Sequence, residues 1–111
     1  MQIWDSLKDE KVELLTSKEK ELSWYMCGPT VYDAAHLGHA RTYVCFDVIA
    51  RILEDVFGYH LNVAMNITDI DDKIIQRAQE RGEDWEALAR QYEQEFFQDL
   101  NSLNNLRPLA T

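Results

Sequence analysis

CGPTVYDAAHLGHAR, residues 27–41, decides how this chain is read, because it sits between two segments of different periodicity. Before it runs LSWYM, residues 22–26, a short apolar stretch closed by Gly28-Pro29, which is a strand with a stop. After it, Val44, Val48, Ile49, Ile52, Leu53, Val56 and Phe57 recur at intervals of three and four, the stripe of a helix face, and Gly58 supplies the break. The spacing predicts a helix over 38–57 with that stripe turned toward the core. YHLNVAMNI, residues 59–67, then alternates and is rich in β-formers, so it predicts a second strand. Strand, long helix, strand is the pattern of a right-handed parallel crossover.

TDIDDKIIQRAQERG follows, with acidic residues at its start, Arg77 and Arg81 near its end and Gly82 after it, the charge order that a helix dipole favours. Asp84 is placed to cap a longer helix carrying Trp85, Leu88, Tyr92, Phe96, Leu100 and Leu103 on one face and ending before Pro108. The first 21 residues are polar and predict an irregular lead-in with room for one edge strand near Val12 and Leu14. The fold class is α/β, ordered β-α-β-α-α in one domain over residues 1–111. Two parallel strands alone leave a face without cover, so the pattern matches the first half of a doubly wound sheet.

The formal net charge of −9, from 20 acidic and 11 basic residues, argues against this surface as the main grip on a phosphate backbone. Cys27 and Cys45 do not form a CxxC pair. The N-terminus, MQIWDSLKDEK, lacks the apolar core of a signal peptide, and no apolar run approaches the roughly 18 residues of a membrane span. Reduced thiols, a cytoplasmic location and no membrane contact are expected.

In doubly wound sheets, ligands lie beyond the carboxyl ends of the strands, which is where residues 27–41 fall. Gly28 lets backbone approach closely, Pro29 stiffens the exit from the strand, and Gly38 permits tight contact at the helix start, where N–H groups and the helix dipole favour phosphate. His36 and His39, three apart, project to one side of that start and offer N–H donors. Helix capping or chance surface placement explains the pair equally. A zinc site from the HxxH pair and Cys27 is a third reading, weakened because Cys45 and His60 are badly placed to complete it. Taken alone, Cys27 and Cys45 both read as small packing residues. In NITDIDDKI, residues 66–74, Asn66, Thr68 and Asp69 face the same crevice, Thr68 suits a small polar substrate, and Asp69, Asp71 and Asp72 are ordinary helix-start residues that a divalent metal would need partners to use.

Together, CGPTVYDAAHLGHAR and NITDIDDKI resemble the N-terminal part of the cysteinyl-tRNA synthetase family, a branch of the class I aminoacyl-tRNA synthetases, from about Trp4 to Pro108. HLGH at 36–39 is similar to the HIGH signature of that class, with leucine for isoleucine. The resemblance implies a partial Rossmann-like, HUP-type nucleotide-binding fold. It implies activation of cysteine by ATP with Mg2+, then transfer of the cysteinyl group to tRNA(Cys). It also implies residue roles: Cys27 as one ligand of a Zn2+ ion that binds the substrate thiolate, Gly28, Thr30 and Thr68 around the bound cysteine, and His36, Gly38 and His39 at ATP, with the two histidines catalytic.

The family's remaining zinc ligands, its KMSK loop and its anticodon-binding region have no counterpart in these 111 residues. The expectation is therefore a synthetase fragment that is inactive alone. A natural truncated paralogue serving as a binding or assembly module is the alternative. A related cysteine-adenylating ligase of mycothiol synthesis is another, against which the wording DAAHLGHAR and NITDIDDKI counts.

Overall fold

Two six-residue strands, β3 (Glu21–Met26) and β4 (His60–Met65), pair in parallel from Glu21↔His60 to Met26↔Met65 in the computed structural model, which describes all of Met1–Thr111. Parallel strands cannot be joined by a tight turn. The connection is helix α1 (Leu37–Arg51), which widens into a π-helical turn at Ile52–Val56 before Gly58, at φ +69°, releases the chain into β4. The expected β-α-β unit is thus present, with the second strand shorter than residues 59–67 suggested.

Pleating turns Leu22, Trp24 and Met26, with Leu61, Val63 and Met65 opposite them, to one face. That face takes α1 and a later helix, α3 (Trp85–Ser102). Met26, Tyr43, Met65, Phe96 and Leu100 form the central cluster, with the Tyr43 and Phe96 rings edge to face at 5.2 Å. Helix α2 (Asp72–Arg81) starts at the Asp71 cap, whose side chain accepts from Lys73 N–H, and stops at Gly82, at φ +67°. Ile74 and Ala78 of α2 pack with Leu88, Ala89 and Tyr92 of α3 around Val31. The opposite sheet face is open: Tyr25 is 63% exposed.

Four expectations need correction. The buried side of α1 carries Tyr43 and Ala50, continued by Leu53, while Val44, Val48, Ile49, Ile52 and Val56 face outward. The helix is apolar on more than one side, so periodicity alone could not choose the face, and the bulky Tyr43 filled the space over the strands. Cys45 is exposed on that outer side and does not pack. The lead-in is a complete antiparallel hairpin, β1 (Gln2–Asp5) with β2 (Glu10–Glu13), turned at Asp9 with φ +55°. Short polar strands such as EKVE carry too little apolar alternation to stand out in sequence.

The fourth correction concerns the last helix, expected to run until just before Pro108: it ends at Ser102, and the segment after it returns to the sheet. Ala110 bridges Ala64 in parallel, Leu109 N–H donates to the Val63 carbonyl at 2.9 Å, and Met65 N–H donates to the Ala110 carbonyl at 3.0 Å. The exposed edge of β4 is thereby paired at its end. A clamp from α1 brings the tail there: Asp47 accepts from Arg51 Nε and from Leu106 N–H, both at 2.7 Å, and Arg51 Nη2 reaches the Asn104 carbonyl at 2.7 Å. Below the tail lies an apolar cavity of about 200 Å3, lined in part by Tyr43, Phe46, Leu61 and Val63.

Asp47 is nearly buried, with 12% of its side chain exposed, so Asp47→Ala strands Leu106 N–H and Arg51 together. The expected loss is about 2 kcal/mol of stability in denaturant titration. Hydrogen exchange at Met65 N–H should accelerate in that variant, because the bond to Ala110 depends on the clamp.

Candidate functional site

Beyond Met26 and Met65 the two chains stay together without a regular ladder. Thr68 N–H donates to the Pro29 carbonyl at 3.0 Å, Val31 N–H donates to the Thr68 carbonyl at 3.2 Å, and Thr30 and Thr68 form an isolated parallel bridge. Between strand and bridge, Gly28 N–H donates to Asn66 Oδ1 at 3.0 Å, and Asn66 Nδ2 reaches Thr68 Oγ1 at 3.4 Å. A Cβ on Gly28 would lie 1.8 Å from the Asn66 carbonyl oxygen, so only glycine admits this approach. Gly28, Thr30 and Thr68, which the resemblance implies lie around the bound cysteine, are therefore brought together by these bonds.

Cys27 is exposed at the end of β3, against the expectation that a strand-end thiol packs inward. Its carbonyl accepts from the Tyr43 hydroxyl at 3.1 Å. Burial raises the Tyr43 phenol above its ordinary range, and the neighbouring Cys27 adds to the shift. The chain gathers no group of three or more histidine, cysteine or carboxylate side chains able to hold a metal ion. Cys27, His36 and His39 thus do not form a common ligand set, and the residues present do not by themselves fit zinc.

At the start of α1 the two histidines meet face to face, with ring centroids 4.0 Å apart and planes inclined by 21°. Both rings turn Nδ1 inward as an acceptor: His36 Nδ1 takes Gly38 N–H at 3.0 Å, and His39 Nδ1 takes His36 N–H at 3.3 Å. The capping reading and the donor reading are therefore one geometry. A neutral imidazole accepting at Nδ1 carries its proton on Nε2, so each ring keeps an Nε2–H donor for a ligand. Gly38 makes room for this, since a Cβ there would come within 2.8 Å of the His36 ring. The rings border a small cleft of about 120 Å3, with Phe96, Asp99 and Leu103 of the α3 region on its other side.

Burial lowers the His39 pKa from its ordinary 6.5, and the adjacent His36 lowers it further. His39 is accordingly neutral near pH 7, the state its cap requires. The sequence singled out the histidines, the glycines and Thr68 by their positions and Thr30 through the resemblance, and the structure places them along this loop and its bridge to Thr68. Sequence reasoning missed Tyr43, although this residue lies four after His39 on the same helix face, and it missed Asp33, which pairs with Arg77 Nη2 at 2.8 Å across 44 residues and left no local signal.

Two measurements check this geometry. In an NMR titration His39 should have its midpoint below 6.5, and the His36 amide, bonded to His39 Nδ1, should shift with the same midpoint. A lowered folded pKa means that the unfolded chain binds more protons in that window. The contribution of His39 to stability is thus complete above 6.5 and is lost as pH falls through the lowered value. Gly28→Ala forces the Asn66 backbone away, and the variant should unfold at least about 3 kcal/mol more easily or fail to fold, read by chemical denaturation.

Comparison with known proteins bears on the same residues. The family model for the class I cysteinyl (C) tRNA synthetase catalytic domain matches residues 13–111. A cysteine–tRNA ligase of Encephalitozoon cuniculi is 56% identical over 91 residues, covering 82% of this chain and 19% of that protein. The cytoplasmic cysteine–tRNA ligase of Dictyostelium discoideum is 53% identical over 95 residues, 86% of this chain and 14% of the relative. That of Pyrococcus furiosus is 50% identical over 103 residues, 93% of this chain and 21% of the relative. The chain spans at most about a fifth of the length of these relatives. With the parallel crossover and the capped histidine pair in place, these matches establish that the chain belongs to the class I cysteinyl-tRNA synthetase catalytic-domain family.

Proposed function

We propose that residues 1–111 form the N-terminal half of the catalytic domain of a longer enzyme that activates cysteine with ATP and passes it to tRNA. The observation that carries this reading is the stacked His36–His39 pair, Nδ1 atoms engaged and Nε2–H donors free, at the start of the helix that follows the Thr30–Thr68 bridge.

In the first step a carboxylate oxygen of cysteine attacks the α-phosphorus of ATP, the bond to the pyrophosphate oxygen breaks, and cysteinyl-adenylate forms. Negative charge develops on the phosphate oxygens, and fixed donors with the positive end of α1 stabilise it. The tautomer sets the role of the histidines. Nε2 already holds a proton and Nδ1 is engaged by backbone, so both rings donate hydrogen bonds and neither is free to act as a base. Gly28, Thr30 and Thr68 hold the amino acid on the other side of the loop, with the Cys27 thiol exposed nearby. A hydroxyl of the terminal tRNA adenosine then attacks the cysteinyl carbonyl and AMP leaves.

The net charge of −9 favours a tRNA grip located outside these residues. Nothing in this reading runs through a metal ion, because the residues present do not make a metal set.

Exchange of labelled pyrophosphate into ATP tests the reading. The full-length enzyme should exchange with cysteine and not with serine, and the 111-residue chain alone should show none. His39→Ala should lower kcat about 100-fold or more while the KM for ATP changes little, since the donor acts mainly in the transition state. Equal exchange with other amino acids, or full turnover by the isolated chain, would overturn the proposal.

A further inference from the structure

Between Thr30, the last residue paired to the second strand, and His36, the cap of α1, the chain crosses VYDAA, residues 31–35. The direction in which it leaves this loop sets where the histidine rings stand. Past Val31 and Tyr32 its own bonds are few: Tyr32 N–H reaches the Thr30 carbonyl at 3.2 Å and Ala34 N–H reaches Asp33 Oδ1 at 2.9 Å. The loop is held instead by side chains: Ala35 packs against the cluster of Tyr43 and Phe96, while Val31, Tyr32 and Asp33 all reach α2. Val31, only 2% exposed, packs in the cluster of Ile74 and Ala78 of α2 with Leu88, Ala89 and Tyr92 of α3. The Tyr32 ring lies under Lys73 Nζ at 5.6 Å, and Asp33 Oδ2 binds Arg77 Nη2 at 2.8 Å. Residues 73, 74, 77 and 78 share one helix face, so α2 presents a continuous seat to the loop.

We propose that Arg77 is a positioning residue for the His36–His39 pair, acting through Asp33. The proposal rests on the functional reading above and extends it to an element that touches no part of the histidine cleft, whose walls come from the loop, α1 and the α3 region. The two oxygens of Asp33 are used from opposite sides, one by Ala34 N–H and one by Arg77, so the carboxylate cannot rotate without releasing the chain three residues before the cap. Glu80, 3.6 Å from Arg77 Nη1, steadies the guanidinium from behind. Because α2 begins four residues after Thr68, the same helix also follows directly from the cysteine side of the site. The pair is between a third and a half exposed, which makes it too weak to govern global folding and strong enough to bias a short loop.

The test uses the full-length enzyme with Arg77→Met, Asp33→Asn, the double variant and Arg77→Lys; Asp33→Asn keeps an acceptor for Ala34 N–H. Each of the first two should lower kcat for cysteine-dependent exchange about fivefold, the size of one half-exposed ion pair, with the KM for cysteine unchanged. The double variant should fall no further than either single, and Arg77→Lys should recover most of the loss. Independently of activity, imidazole 15N shifts of the 111-residue chain should show protonated Nε2 and bare Nδ1 on both histidines, and Arg77→Met should move them toward a tautomer mixture. Additive losses, a matching rise in the KM for cysteine, or unchanged nitrogen shifts in Arg77→Met would overturn the proposal. If the unaltered enzyme shows no cysteine-dependent exchange, the functional reading fails, and the nitrogen shifts alone decide the role of Arg77.

Discussion

The structure depends on the contact between the first core strand and the chain that follows the second, at the point where Gly28 lies against Asn66. Six paired residues align β3 and β4, but regular pairing ends at Met26 and Met65. The next bonds, from Gly28 to Asn66 and between Pro29, Val31 and Thr68, keep the two chains together without a regular ladder as far as the Thr30–Thr68 bridge. A methyl group at residue 28 would sit inside the Asn66 carbonyl. The absence of one carbon atom therefore permits the close approach that brings Gly28, Thr30 and Thr68 side by side.

From that point each element serves two purposes. The histidines satisfy backbone donors at the start of α1, and by doing so they fix their own tautomers and aim the remaining donors outward. Tyr43 is a core residue by burial and a support for the Cys27 carbonyl by its hydroxyl. Asp47 neutralises Arg51 and delivers the tail to the edge of β4. Economy of this kind suits a chain in which only 15 of 111 residues are buried, since few positions are left for packing alone.

Much of the layout was legible in sequence because its signals are local. Asp71 and Asp84 cap the helices that follow them, Gly58 and Gly82 adopt the left-handed turns expected after helix ends, and the alternation in residues 59–67 marks the second strand. The glycines, Thr68 and the histidines stood out for the same reason, since each sits at a turn or a strand end, whereas Thr30 was named through the family resemblance. What escaped was long-range. Nothing near Asp47 announces Leu106, nothing near Asp33 announces Arg77, and Leu109–Ala110 is too short a stretch to read as a strand before its partner is known.

The outward stripe of α1 separates the two kinds of information. Sequence by itself determined that a helix, read as 38–57 and found at 37–56, joins two parallel strands and that HLGH begins it, because periodicity and capping chemistry act within a few residues. Tertiary structure decided which side of that helix is buried and which imidazole nitrogen faces the ligand. Val44 and Val48 are as apolar as the residues that ended up inside, so the choice fell to the shape of the space above Met26 and Met65, which Tyr43 fills. The nitrogen was chosen by a backbone N–H that comes within reach of each ring only once the loop and helix have taken their final course.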